Sequence, residues 1–194
     1  MARRAAFLDR DGVLTPERGV VTRADAIELM PHAAGAVSRI VELDFLPVII
    51  TNQTGMARGL MGRAELDAIH GRMNELLVAG GAPPIRAIFV CPHHPHAQVE
   101  AFRIVCACRK PLPGLVLRAA GELSLDLASS VFVGDRASDL ACARRAGVGR
   151  AILVASAGHT PIVGAEDLTL AERTPDAVAD DLLGATFHFA GAAQ

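Results

Sequence analysis

Residues 5–12 read Ala-Ala-Phe-Leu-Asp-Arg-Asp-Gly. Four apolar residues in a row make a short strand buried on both faces, and the strand ends at Asp9. A second carboxylate, Asp11, follows two residues later, so two acids meet near one point at a strand end. The glycine at position 12 then opens a turn.

The same pattern of apolar run and polar end returns along the chain. Leu46 to Ile50 is a second strand, ending at Thr51-Asn52. Ala87 to Val90 is a third and leads into Cys91; Val131 to Val133 is a fourth and ends at Gly134-Asp135; Ala151 to Val154 is a fifth. Between them, helical spacing puts Ala33, Val37 and Ile40, with Leu43 or Val41, on one face over residues 33–44. Leu66, Ile69, Met73, Leu76 and Leu77 do the same over 63–79. A helix follows Pro113-Gly114, another runs near 137–146, and a last one is expected near 176–183. Strands alternating with helices imply βαβ units around a parallel sheet. The expected fold is α/β with a central parallel sheet, with residues 1–194 as one domain. Ligands of such sheets bind beyond the carboxyl ends of the strands. Asp9, Thr51, Cys91 and Asp135 all follow strand ends, so they converge on one rim.

Composition narrows the function. The chain of 194 residues is 51% hydrophobic, which excludes a disordered protein, and it is long enough to bury a sizeable core. A net charge of −2 gives no electrostatic reason to follow a nucleic-acid backbone. There is no Trp or Tyr, and 7 Phe, so base-stacking platforms are not expected either. No stretch approaches the length of a membrane span, and the basic start runs straight into a strand rather than a signal peptide. A cytoplasmic protein is expected, without a membrane partner. A monomer is expected too, because no exposed apolar helix stands out.

The acids suggest phosphate chemistry. Asp9 can attack phosphorus in line, while Asp11 can protonate the leaving oxygen and later activate water. Two carboxylates facing a phosphate repel it, so a divalent cation is needed. Asp135 is the natural further oxygen ligand, and magnesium suits a site with few carboxylates. Thr51-Asn52-Gln53-Thr54-Gly55 offers a hydroxyl and backbone N–H groups to phosphate oxygens. Lys110 offers a cation to charge on the transferring group. Taken singly, DRDG, TNQTG and VGD are ordinary turns or helix caps; in this order at strand ends they are not.

A second cluster suggests a different metal. Cys91-Pro92-His93 and Cys106-Ala107-Cys108 are separated by twelve residues. Three thiolates and one imidazole suit tetrahedral zinc with a closed shell, hence a structural site. It would tie down the loop 91–108, which carries Arg109 and Lys110 toward the phosphate site. Spacing alone leaves His93, His94 and His96 open as the imidazole. Cys142 reads as a small core residue. His70 reads as a surface residue of its helix, and His32 as a helix-start residue.

DRDG, TNQTG, CRKP and VGDRASD, in that order over roughly residues 5–155, resemble the four signature motifs of the haloacid-dehalogenase superfamily. The resemblance implies a Rossmann-like three-layer sandwich, Asp9 as nucleophile, Asp11 as general acid and base, and Thr51 and Lys110 as phosphate stabilisers. It places magnesium on Asp9, Asp135 and the backbone carbonyl of Asp11, with Asp139 in support. The short gaps between motifs leave no room for a cap domain, so loops must select the substrate. DRDG with a zinc loop is similar to the subfamily of D-glycero-D-manno-heptose 1,7-bisphosphate 7-phosphatases and histidinol-phosphatases. That resemblance favours His93 as the zinc imidazole, with His94 and His96 solvated or facing substrate. CPHHP, Phe102-Arg103 and the length from Asp9 to Glu28 look like the heptose type. This implies a phosphorylated sugar as the small-molecule partner, in the synthesis of surface-polysaccharide heptose. Glu17, Arg18, Gly19, Val20, Asn52, Gln53, Thr54, Arg109 and Arg136 fall at substrate-contact positions. Arg18 and Arg136 differ from the residues expected there, and Arg58 is a further arginine that could serve a bisphosphate. The alternatives are a histidinol-phosphate phosphatase and, in another class, a non-catalytic phosphosugar-binding protein.

Overall fold

Phe7 and Leu8 are neighbours in one strand yet belong to opposite cores. The computed structural model describes residues 3–155 and 167–190. Its strands are β1 (Ala5–Leu8), β2 (Leu46–Asn52), β3 (Ala87–Cys91), β4 (Val131–Gly134), β5 (Arg150–Val154) and β6 (Ala177–Ala179). Its helices are α1 (Ala33–Glu42), α2 (Arg63–Ala79), α3 (Gly114–Leu123), α4 (Ala137–Ala146), α5 (Leu170–Arg173) and α6 (Leu182–Thr186). Leu8, Ile49, Val133 and Ile152 face a core that is closed by Val37 and Ile40 of α1 and by Leu66, Ile69 and Met73 of α2. Phe7, Ile50, Phe132 and Leu153 face the other core, closed by Leu115 and Val116 of α3 and Leu140 of α4. Period-two alternation on strands covered from both sides thus produces the three layers.

All six strands are parallel, in the order β3-β2-β1-β4-β5-β6. The chain builds outward from β1 to β3, then crosses back to lay β4 on the other side of β1. This reversal opens a crevice between the carboxyl ends of β1 and β4. Asp9 and Asp135, the residues just after those two strands, stand at its mouth. The pairing continues into it, since the Asp9 N–H donates to Val133 O at 3.0 Å.

The C-terminal segment departs from expectation. In place of a helix over 176–183, Ala177–Ala179 forms the sixth strand and α6 follows it. Asp176 decides this. Its carboxylate accepts from the Ala151 N–H at 2.7 Å, and its own N–H donates to Ala151 O at 2.8 Å. These bonds lock the next three residues alongside β5. Asp181 then caps α6 by accepting from the Gly184 N–H. Part of the C-terminal stretch, residues 156–166 and 191–194, lies outside the described residues. Among the described residues no helix is long and apolar enough to cross a membrane.

His70 also departs from expectation. It is buried, not on the surface, with its Nε2 3.3 Å from Nη1 of Arg10. A guanidinium only donates, so this nitrogen accepts and the imidazole is neutral. Burial, and then the Arg10 charge, push the His70 pKa down to about 4. The unfolded chain takes up this proton near the ordinary value, and the folded protein refuses it until well below. His70 therefore favours the fold fully above about pH 6.5, and that contribution is lost as pH falls toward 4. In thermal melts across this window, His70→Gln should flatten the decline in Tm that the wild type shows. An unchanged slope would contradict this assignment.

Candidate active site

Lys110 lies at the centre of the crevice with oxygens close to its ammonium from three sources. Its Nζ is 2.8 Å from Asp9 Oδ2, 2.7 Å from Asp139 Oδ1 and 3.0 Å from Ile50 O. Burial alone would lower its pKa; Asp139 and Asp9 overcome this and keep it protonated. Asn52 fixes the same residue through its backbone. The Asn52 amide donates to Lys110 O and accepts from Lys110 N–H, both at 3.2 Å.

Asp9 follows β1 with Oδ1 accepting from the Arg10 N–H at 2.7 Å. Burial raises its pKa to about 6; Lys110 opposes this, and Asp139 and Asp11 add to it. Asp139, in the first turn of α4, accepts from the Arg136 N–H at 3.0 Å and so also caps that helix. Gly12 has φ +83°, and a Cβ there would sit 2.2 Å from Asp135 Oδ2. Only glycine lets the DRDG turn approach that carboxylate.

Asp135 tests whether a cation fits. It is buried, and neither oxygen has a hydrogen-bond partner. Burial, then the nearby Asp139 and Asp9, push its pKa up to about 8. Oxygens of Asp9, Asp135 and Asp139 lie within 4.8 Å of one another. Lys110 pairs with Asp9 and Asp139 alike, so Asp135, whose oxygens have no hydrogen-bond partner, is the carboxylate most in need of an ion beside them. A small hard dication with few carboxylate ligands, as magnesium is, fits this donor set and relieves the buried charge.

Asp11, at the cavity wall, accepts from Arg10, Thr15 and Gln53. Thr51 Oγ1 accepts from Gln53 Nε2 at 2.9 Å. Both belong with Asp9 and Lys110 to a cavity of about 530 Å³. The other substrate-contact positions divide. Glu17, Gly19, Val20, Asn52, Gln53, Thr54, Arg109 and Arg136 line the cavity. Arg18 does not: it points away and pairs with Glu28 at 2.9 Å on the exposed surface. Gln53 lines the wall with its amide turned inward, and Asn52 spends its amide on Lys110. Arg136 pairs with Glu17 at 2.6 Å, joining the two sides of the entrance. Arg58 and His94 line the cavity as well, as does Ser138, which lies inside VGDRASD but carried no assigned role there. The buried Arg10 was passed over although it lies inside DRDG; a charged residue between two acids reads as solvated.

The cysteine cluster gathers as its spacing implies. Cys108 Sγ lies 3.1 Å from Cys91 Sγ, 3.2 Å from Cys106 Sγ and 3.3 Å from His93 Nδ1. Cys91 Sγ is 3.7 Å from Cys106 Sγ and 3.9 Å from His93 Nδ1. Ligands about 2.1–2.3 Å from a tetrahedral zinc stand roughly 3.5–3.8 Å apart, so the four donors fit zinc with little adjustment. His94 and His96 stay outside this group of four. Cys142 is a buried core residue.

Comparison with known proteins agrees with the geometry. The HAD-hydrolase-like family profile matches residues 107–185. The D-glycero-beta-D-manno-heptose-1,7-bisphosphate 7-phosphatase of Escherichia coli strain K12 is 39% identical over 150 residues, 77% of this chain and 78% of that protein. The crystal structure of the D,D-heptose 1,7-bisphosphate phosphatase from B. bronchiseptica, complexed with magnesium and phosphate, superposes with TM-score 0.77 at 34% identity. That match covers 98% of this chain and 99% of the other. A putative HAD-like phosphatase from Mesorhizobium loti superposes with TM-score 0.79 at 29% identity, covering 97% of this chain and 88% of that one. Fold, motif order and relatives agree, and the chain belongs to the haloacid-dehalogenase-like family of phosphatases.

Proposed function

We propose that this protein removes the 7-phosphate of D-glycero-D-manno-heptose 1,7-bisphosphate, with Asp9 as the nucleophile. One observation carries the reading. A carboxylate at the tip of β1 lies 2.8 Å from the Lys110 ammonium and beside the unpartnered, buried Asp135, at one end of an open cavity. The substrate class rests on the heptose phosphatases to which the chain is similar at 34–39% identity.

An oxygen of Asp9 attacks phosphorus as the bond to the sugar oxygen breaks, and Asp11 supplies that oxygen with a proton. Water then attacks the aspartyl-phosphate, Asp11 takes the proton back, and Asp9 is released with inorganic phosphate. Lys110 and Thr51 face the transferring group and hold its oxygens. Magnesium, when held by Asp9 and Asp135, neutralises charge on the phosphate and orients it. Arg109, Arg58 and His94 line the cavity with basic groups fit for a second phosphate. The pair of Arg136 and Glu17 at the entrance offers both a donor and an acceptor to sugar hydroxyls.

The zinc loop supports this site from outside. Cys108 precedes Arg109 and Lys110 directly, and Arg109 Nη1 donates to His93 O at 3.3 Å. A closed shell on Cys91, His93, Cys106 and Cys108 fixes where both basic residues stand.

Asp9→Asn should keep the circular dichroism spectrum and lose turnover by about 10⁴-fold or more; full activity in that variant would refute the covalent mechanism. On a phosphate-release panel, kcat/KM should favour the heptose bisphosphate over histidinol phosphate by at least about 100-fold. The reverse ratio would assign the protein to the second substrate. Elemental analysis of protein purified without chelator should give about one zinc per chain, and stripping it should lower Tm and activity together. Zinc-free protein with full activity would remove the loop from the mechanism.

A further inference from the structure

Arg10 is only 1% exposed, and an arginine so enclosed needs a full set of partners. It has them. Its Nε donates to Asp11 Oδ1 and its Nη2 to Asp11 Oδ2, both at 3.0 Å, a two-pronged pair. Nη2 also donates to Gln53 Oε1 at 2.8 Å, and Nη1 meets the His70 ring nitrogen. Two further donors reach the same carboxylate. Thr15 Oγ1 lies 3.0 Å from Oδ1, and Gln53 Nε2 lies 2.8 Å from Oδ2. Each oxygen of Asp11 therefore has two donors in reach; the Thr15 hydroxyl can turn its one proton to Arg10 O instead, at 3.2 Å, which frees a position on Oδ1 for the proton that Asp11 exchanges. Gln53 is used up within the cluster, since Nε2 reaches Thr51 as well as Asp11 while Oε1 is held by Arg10.

We infer that Arg10 is a positioning residue for the reaction: with Gln53 and His70 behind it, it sets the direction of the Asp11 carboxyl that exchanges protons with leaving group and water. A carboxyl on two rotatable bonds would sample several directions. The fork of a buried guanidinium permits one. His70 takes part only as a neutral acceptor, because a charged ring would repel Arg10. The inference rests on the phosphatase reading above and adds a residue that neither touches phosphate nor binds the metal.

Proton delivery gives a readout that structural damage would not mimic. Breaking the bond from phosphorus to an alkyl oxygen leaves an alkoxide unless Asp11 supplies a proton. Breaking the bond to p-nitrophenolate leaves a stable anion and needs none. kcat/KM reports the steps up to phosphoryl transfer onto Asp9, so it isolates this difference.

The test is Arg10→Lys, which keeps the charge and loses the fork, assayed on the heptose bisphosphate and on p-nitrophenyl phosphate. kcat/KM should fall about 100-fold on the sugar ester and stay within about threefold on the aryl ester. Equal losses on both overturn the positioning role and leave the phosphatase reading standing. Wild-type protein that turns over neither ester overturns the reading and the role with it. Should Arg10→Lys fail to melt cooperatively, Thr15→Val removes one bond to the same carboxylate. It should show the same split at about tenfold, and equal losses there are again decisive against the role.

Discussion

One buried ammonium faces three buried carboxylates at the carboxyl end of the sheet, and the rest of the site follows from that imbalance. Lys110 pairs with Asp9 and Asp139 directly but leaves Asp135 without a hydrogen bond, with only Arg136 Nε at 3.8 Å beside it. Two like charges about 4 Å apart repel by about 4 kcal/mol at an effective dielectric of 20. That is a large share of the few kcal/mol by which a domain is stable. The fold tolerates it because the two strands bearing Asp9 and Asp135 are paired to one another and packed on both faces by Phe7, Leu8, Phe132 and Val133.

The sheet order determines that the charges meet at all. Had β4 been added next to β3, Asp135 would have stood two strands farther from Asp9. The reversal puts β4 directly against β1, and Gly12, at φ +83°, lets the turn after β1 close down on Asp135. Sequence order and spatial order differ here, and the site lies at that difference.

What was legible in the sequence follows the same physics. Ala5–Leu8, the run Val131 to Val133, and the pairs Cys91/His93 and Cys106/Cys108 were legible because their signals are local: unbroken apolar runs, and metal donors at ligand spacing. The 63–79 helix was legible from its spacing and matches the observed bounds, although Leu76 is only partly buried. The sixth strand was not. Ala177-Val178-Ala179 is too short to show alternation, and its pairing depends on Asp176 bonding to Ala151 twenty-five residues earlier. Arg10 and His70 were illegible for a related reason. Polar residues are read as solvated unless their partners are known, and these two are buried because they partner one another across sixty positions. Arg18 fails in the opposite sense: sequence position put it among the contacts, and an exposed ion pair with Glu28 takes it away.

The TNQTG segment shows how one strand end can serve three functions. Thr51 lines the cavity with Asp9 and Lys110, Asn52 grips the peptide of Lys110, and Gln53 holds Asp11. Lys110 is thus anchored twice over, by Asn52 from β2 and by the cysteine loop that immediately precedes it. Either anchor alone would leave the lysine backbone free to pivot about the other. Together they fix its ammonium between Asp9 and Asp139, where a displacement of about 1 Å would cost much of the rate. A closed four-ligand metal site far from the reacting atoms is then explicable without any chemical step of its own. It supplies the second fixed point that a single side-chain clamp cannot.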